Sequence, residues 1–146
     1  MVDEMKYVFL VSHGELAKGL HSALKMLTGE SREDVLSVGL EDGMGADVFA
    51  QRVRECLGVI KEGDEILLFA DLVGGSPLTT AANTIAEMGL MPRTVMIGGM
   101  NMPLALSAVL MKDTMPTAEL VDTLIPEARD ELKRFEITLD NDEEDI

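Results

Sequence analysis

Two histidines occur among the 146 residues, and one of them, His13, stands where a side chain can react. It follows an apolar run, Tyr7 to Val11, and precedes Gly14, so the chain changes conformation immediately after it. Asp71 follows a second apolar run, Ile66 to Ala70, and leads into Gly74-Gly75-Ser76-Pro77. Histidine beside a carboxylate has a recurring chemical use. The carboxylate accepts a hydrogen bond from one ring nitrogen and fixes the tautomer, and the other nitrogen keeps its lone pair as a base, metal ligand or nucleophile. Glycines opening a helix offer unpaired N–H groups and a positive dipole end, which suit an anion such as phosphate. Ser12 or Ser76 adds a hydroxyl donor. Together these describe a phosphoryl-accepting histidine, its orienting carboxylate and an anion cradle. Each part also has a passive use: a polar strand end, a turn cap, and an ordinary lead-in to a helix.

The elements around these residues alternate. The apolar runs at Tyr7–Val11 and Ile66–Ala70 are the pattern of strands buried on both faces of a parallel sheet. Val35, Leu36, Val38 and Leu40 predict a further strand, and Thr94 to Ile97 another. Helical spacing begins at Glu15, with Leu16, Leu20, Leu24 and Leu27 on one side. A helix is expected from about Ala46 to Ile60, with Val48, Phe49, Val53, Cys56 and Leu57 buried. Pro77, with Ser76 as N-cap, starts one that runs to about Met88. After the Met100-Asn101-Met102 loop, Pro103 opens a helix to about Lys112, and Pro116-Thr117 one to about Arg134. Phe135 to Leu139 alternates like a short strand. The alternation predicts an α/β fold, a single doubly wound and mainly parallel sheet in order 2-1-3-4. Its switch point lies between the first and third strands, where His13 and Asp71 converge.

Composition narrows the function. At 47% apolar, residues 1–139 are expected to form one domain, with the acidic run Asp140 to Asp145 as a solvated, disordered tail. The net charge of −15 excludes nucleic acid, whose phosphates need Lys and Arg, and suits a basic protein partner. No run approaches the ~18 apolar residues of a membrane span, and the first residues do not read as a signal peptide, so a cytoplasmic location is expected. The single Cys56 reads as a packed thiol, and His21 as a packing or surface residue near Lys18 and Lys25. Rival chemistries fit less well. A hydrolase using Ser76, His13 and Asp71 lacks the G-x-S-x-G elbow, and Pro77 removes an oxyanion N–H. Zinc lacks ligands, no Walker loop occurs, and Gly43-Met44-Gly45 lacks the third glycine of a dinucleotide site. A receiver-like domain is a poor match, because the first strand ends in Ser-His rather than in acidic residues that hold Mg²⁺. No metal or organic cofactor is expected.

The segments VFLVSHGELAKGL, LLFADLVGGSPLTTAA and VMIGGMNMPLAL, in this order and spacing, resemble the IIA domains of the mannose class of bacterial sugar phosphotransferase systems, across roughly residues 5 to 135. The resemblance implies a phosphoryl carrier, charged by the small protein HPr and discharging to a separate IIB protein that serves a membrane permease. By motif position, His13 is the phosphorylated residue and Asp71 its hydrogen-bonded partner. Ser12 and the Gly74-Gly75-Ser76 turn belong to the phosphate site, with Gly14, Leu72, Met100 and Asn101 lining it. The resemblance further implies a homodimer that exchanges a C-terminal strand, here Phe135–Leu139, at an otherwise open sheet edge. Leu72 and Val73 depart from the Thr and aromatic common in that family. The alternative is a regulatory module whose phosphorylated His13 controls partner binding rather than sugar uptake.

Overall fold

The computed structural model describes residues 4–139; the acidic run 140–146 lies outside them. The chain alternates β1 (Lys6–His13), α1 (Leu16–Thr28), β2 (Val35–Leu40), α2 (Ala46–Cys56), β3 (Glu65–Ala70), α3 (Ser76–Glu87), β4 (Thr94–Ile97), α4 (Met102–Met111) and α5 (Thr117–Asp130). All neighbouring strands pair in parallel, in the order β2-β1-β3-β4. His13 lies opposite Leu40 of β2, and Val11 opposite Ala70 of β3. The strand ends that carry His13 and Asp71 are therefore adjacent.

The apolar runs of β1 and β3 are continuous because both sheet faces are covered. Val8, Leu10, Leu67 and Phe69 face α1, α4 and α5, meeting Leu24, Leu104, Ala108, Leu120 and Leu124. Phe9, Val11, Ile66, Leu68 and Ala70 face α2 and α3, meeting Phe49, Val53, Ala81 and Ile85. Two cores on opposite faces clamp β1 and β3, so their carboxyl ends form a rigid platform. Among the described residues no helix is long and apolar enough to cross a membrane.

Three packing expectations change. The buried stripe of α1 centres on Ala17, Leu20 and Leu24, leaving Leu16 and Leu27 on its flanks and half exposed or more. In α2, Val48 turns outward for the same angular reason, and a short 3-10 turn at Leu57–Val59 replaces the expected last helical turn. At the other end of the chain, α5 stops at Asp130, and Phe135–Leu139 forms no strand in its own sheet. Among the described residues no sheet edge pairs with that segment, and Phe135, Ile137 and Leu139 remain exposed.

At the pole opposite His13, Lys112 is buried with its Nζ 2.8 Å from Asp34 Oδ2, and Arg32 Nη1 reaches the same oxygen at 2.8 Å. Burial pushes the Asp34 carboxyl up, but the hydrogen bonds and charges of Lys112 and Arg32 outweigh it and hold the pKa below the ordinary value. A carboxyl depressed in the folded state stabilises the fold above its unfolded pKa, and that contribution fades as pH falls through the lowered value. Lys112→Met should therefore lose about 3 kcal/mol in urea unfolding at neutral pH, the low end for breaking a buried pair because Arg32 remains. The deficit should shrink in acid, as pH falls below the ordinary carboxylate range and through the lowered value at which Asp34 takes up a proton. A mutant with the wild-type urea midpoint would show that the pair adds nothing.

Candidate active site

β1 ends at His13 because the next residue, Gly14, adopts φ +57 and turns the chain down onto β2, its N–H donating to the Leu40 carbonyl at 2.8 Å. The hydroxyl of Ser12 accepts the Ala17 N–H at 2.7 Å and anchors the first turn of α1. His13 is thus pinned on both sides, and its side chain is about half exposed (48%) at the crest of the sheet.

Asp71 directly follows β3 and reaches across to it. Asp71 Oδ2 accepts the His13 backbone N–H at 2.9 Å and lies 2.9 Å from His13 Nδ1, while Oδ1 accepts the Leu72 N–H at 2.9 Å. Partial burial pushes the Asp71 carboxyl up, and the His13 amide and imidazole with the Leu72 amide more than offset this, leaving it below the ordinary carboxylate range. An ionised carboxylate only accepts, so Nδ1 must carry the ring proton. The lone pair is then on Nε2. This is the arrangement of a nucleophile or base poised at the surface.

The ring edge bearing Nε2 faces the start of α3. A Cβ on Gly75 would lie 2.9 Å from His13 Cε1 and 3.6 Å from Nε2, so any side chain there would push the imidazole from its place against Asp71. This corrects the expected cap. Gly75, in extended backbone, is the N-cap, its carbonyl accepting the Thr79 N–H at 3.2 Å, and Ser76 is the first helical residue. A serine at the cap position would collide with His13. No side chain caps α3, so its amino end faces solvent beside Nε2, with Ser76 and Gly74 exposed there. An anion held at this end would gain from first-turn N–H groups and from the helix dipole.

Other expected positions divide. Leu72 and Val73 are exposed beside the site, and Val73 rests on Gly98, where a Cβ would approach Val73 Cα to 2.8 Å. Gly14 shapes the turn. Ser12 differs from expectation: it is fully buried, and its hydroxyl is committed to the α1 amide, so it positions His13 rather than facing an anion. Met100 is also inward, a core residue whose N–H donates to the Ala70 carbonyl at 2.9 Å. Asn101 caps α4 through Oδ1 to the Leu104 N–H and ties down α5 through Nδ2 to the Ala128 carbonyl. Its amide has partners at both ends and does not serve the imidazole. Instead it lines an open groove of about 500 Å³ beside β4, with Ile97, Leu104 and Ile125. His21 is half-buried and paired with the Ser37 hydroxyl at 2.7 Å, the packing role expected of it. Burial of Cys56 pushes its thiol up to about 11, so it is protonated and inert at neutral pH. No cluster of His, Cys, Asp and Glu among the described residues could hold a metal ion.

One residue of the site was not anticipated. Gly39 of β2 lies against the Gly14 carbonyl with no room for a side chain. A glycine inside the strand run VLSVGL is the signal that could have revealed it.

Comparisons with known proteins identify the family and the fold. The family described as "PTS system fructose IIA component" matches residues 7–125. The chain is 27% identical over 117 residues to the PTS system fructose-specific EIIA component of Bacillus subtilis (strain 168), an alignment spanning 80% of this chain and 77% of that protein. Among solved structures it is similar to the PTS IIA protein associated with the fucose utilization operon of Streptococcus pneumoniae, with a TM-score of 0.74 and 23% identity over 92% of this chain and 96% of that one. It is likewise similar to phosphotransferase system component EIIA of Streptococcus agalactiae, with a TM-score of 0.73 and 25% identity over 89% and 97% of the two chains.

Proposed function

Because the chain belongs to the PTS fructose IIA (EIIA-man) family of sugar phosphotransferase components, we propose that it carries a phosphoryl group on Nε2 of His13. One observation carries this reading. Asp71 accepts from Nδ1, which leaves the Nε2 lone pair free at the uncapped amino end of α3. In the forward step the Nε2 lone pair attacks phosphorus in line. The P–N bond to the donor histidine breaks, the P–Nε2 bond forms, and the donor ring keeps the bonding pair. The imidazole gains positive charge as the bond forms, and the Asp71 carboxylate opposite Nδ1 compensates it. The phosphoryl oxygens are directed toward Gly74, Gly75 and Ser76. The demands are positioning and charge stabilisation, and neither calls for a metal.

The donor in this reading is HPr and the acceptor a separate IIB protein, with the membrane permease reached only through IIB. The sugar never meets this chain. Intact-protein mass spectrometry after incubation with phosphoenolpyruvate, enzyme I and HPr should show the gain of one acid-labile phosphoryl group. No gain with competent upstream proteins would overturn the reading.

The chain acts as a homodimer in the same reading. Among the described residues β4 pairs only with β3, which leaves its outer edge open, and the alternating Phe135, Ile137 and Leu139 are exposed. Pairing this segment with β4 of a second copy would cover both liabilities. Ile137→Pro removes a ladder donor and should convert dimer to monomer in sedimentation velocity. An unchanged sedimentation coefficient would reject the exchange.

A further inference from the structure

The imidazole is held not only by Asp71 but by the height of the turn that follows it, and that height is set by β2. In the parallel register Ser12 lies opposite Gly39 and His13 opposite Leu40. Gly14 then folds over, donates to the Leu40 carbonyl, and lays its own carbonyl on Gly39. A Cβ at position 39 would overlap the Gly14 carbonyl oxygen outright and stand 3.4 Å from its carbon. Gly39 does not have the positive φ that would itself demand glycine. The absent side chain, rather than backbone freedom, is what the position supplies.

We propose that Gly39 is a positioning residue for phosphoryl transfer, its bare Cα being the seat that lets the His13–Gly14 turn place both the His13 amide and the imidazole on one oxygen of Asp71. The proposal rests on the carrier reading for its rate consequence. Its structural part stands on the contact alone. Both His13 bonds to Asp71 Oδ2 are 2.9 Å, and they originate from one residue, so they move together when its backbone moves. An alanine at 39 needs the Gly14 carbonyl to rise by about 1 Å, a misplacement large enough to slow a positioned reaction about 10²-fold. The lifted ring loses its fixed Nδ1–H tautomer and with it the steady lone pair on Nε2.

The test compares Gly39→Ala with Val38→Ala, a neighbouring core truncation on β2 that lies opposite Val11 and packs in the core on the α2 and α3 face. Gly39→Ala should transfer from phospho-HPr about 10²-fold more slowly at saturating donor, with KM unchanged. Its ¹⁵N-histidine spectrum should replace the single Nδ1–H signature of His13 with a mixture of tautomers. Val38→Ala should keep both the rate and the signature despite lower stability. Combined with Asp71→Asn, Gly39→Ala should add no further slowing, because both act through one pair of bonds. A wild-type rate and signature in Gly39→Ala, an equal loss in Val38→Ala, or a Gly39→Ala chain that does not fold would each make Gly39 a packing residue and overturn the proposal. If the wild type itself accepts no phosphoryl group, the carrier reading fails while the ¹⁵N signature still decides the positioning role.

Discussion

Replacing His13 by alanine should abolish phosphoryl uptake while leaving the fold intact. The fold survives because the side chain is half exposed and no core residue packs solely on it. The backbone features that shape the turn remain: Ser12 on Ala17, Gly14 on Leu40, and the His13 amide on Asp71 Oδ2. The surface change should cost no more than about 1 kcal/mol in urea unfolding. Uptake as an acid-labile phosphohistidine disappears because no other histidine stands at the crest. His21 is paired with Ser37 on the flank of α1, and Cys56 is held protonated by burial. The check is the mass of the intact protein after incubation with phosphoenolpyruvate, enzyme I and HPr. A mutant that still gains an acid-labile phosphoryl group would place the acceptor elsewhere.

Asp71→Asn should slow transfer about 10²- to 10⁴-fold, the upper end being the loss when a catalytic histidine is left in the wrong tautomer by the same substitution. The two Asp71 oxygens accept from three donors: the His13 amide, His13 Nδ1 and the Leu72 amide. An asparagine has one acceptor oxygen and one NH₂ group. Turned one way, the NH₂ faces the Leu72 N–H; turned the other way, it faces both His13 donors and drives the ring to the Nε2–H tautomer. That tautomer has no lone pair where the phosphoryl group must bind. In either orientation the negative charge opposing the charged ring is gone. Rapid-quench measurement with labelled phospho-HPr would read the rate directly. A wild-type rate would show that Asp71 only caps its turn.

Much of the architecture is legible in the chain because a parallel strand clamped between two cores requires apolar residues on both faces. The runs Tyr7–Val11 and Ile66–Ala70 satisfy that requirement without reference to anything distant. Right-handed crossovers then leave few windings, and the observed order β2-β1-β3-β4 follows from them. His13 and Asp71 are legible as a pair for the same reason: each stands just past a central strand, and the switch point brings those ends together.

Positions whose roles depend on a neighbour across space were harder to read. Ser76 has the residue type of a cap, yet a Cβ at the cap position would crowd the imidazole of His13, and Gly75 takes it. Ser12 is beside the nucleophile in sequence, but strand alternation turns it inward to α1. Asn101 lies in a loop near the crest, but the amino end of α4 and the last turn of α5 claim its amide. The stripe on α1 misleads because Leu16 and Leu27 lie within a helical turn of the buried face without being on it.

The sequence by itself determined the alternation of strands and helices, the sheet order, and the histidine and aspartate that meet at its crest. Apolar periodicity and chain handedness are local properties, carried by each segment alone. The tertiary structure decided which nitrogen of His13 is free, which residue caps α3, and why β2 must carry a glycine at position 39. Those outcomes turn on contacts of about 3 Å between segments far apart in the chain, and no local pattern encodes such distances.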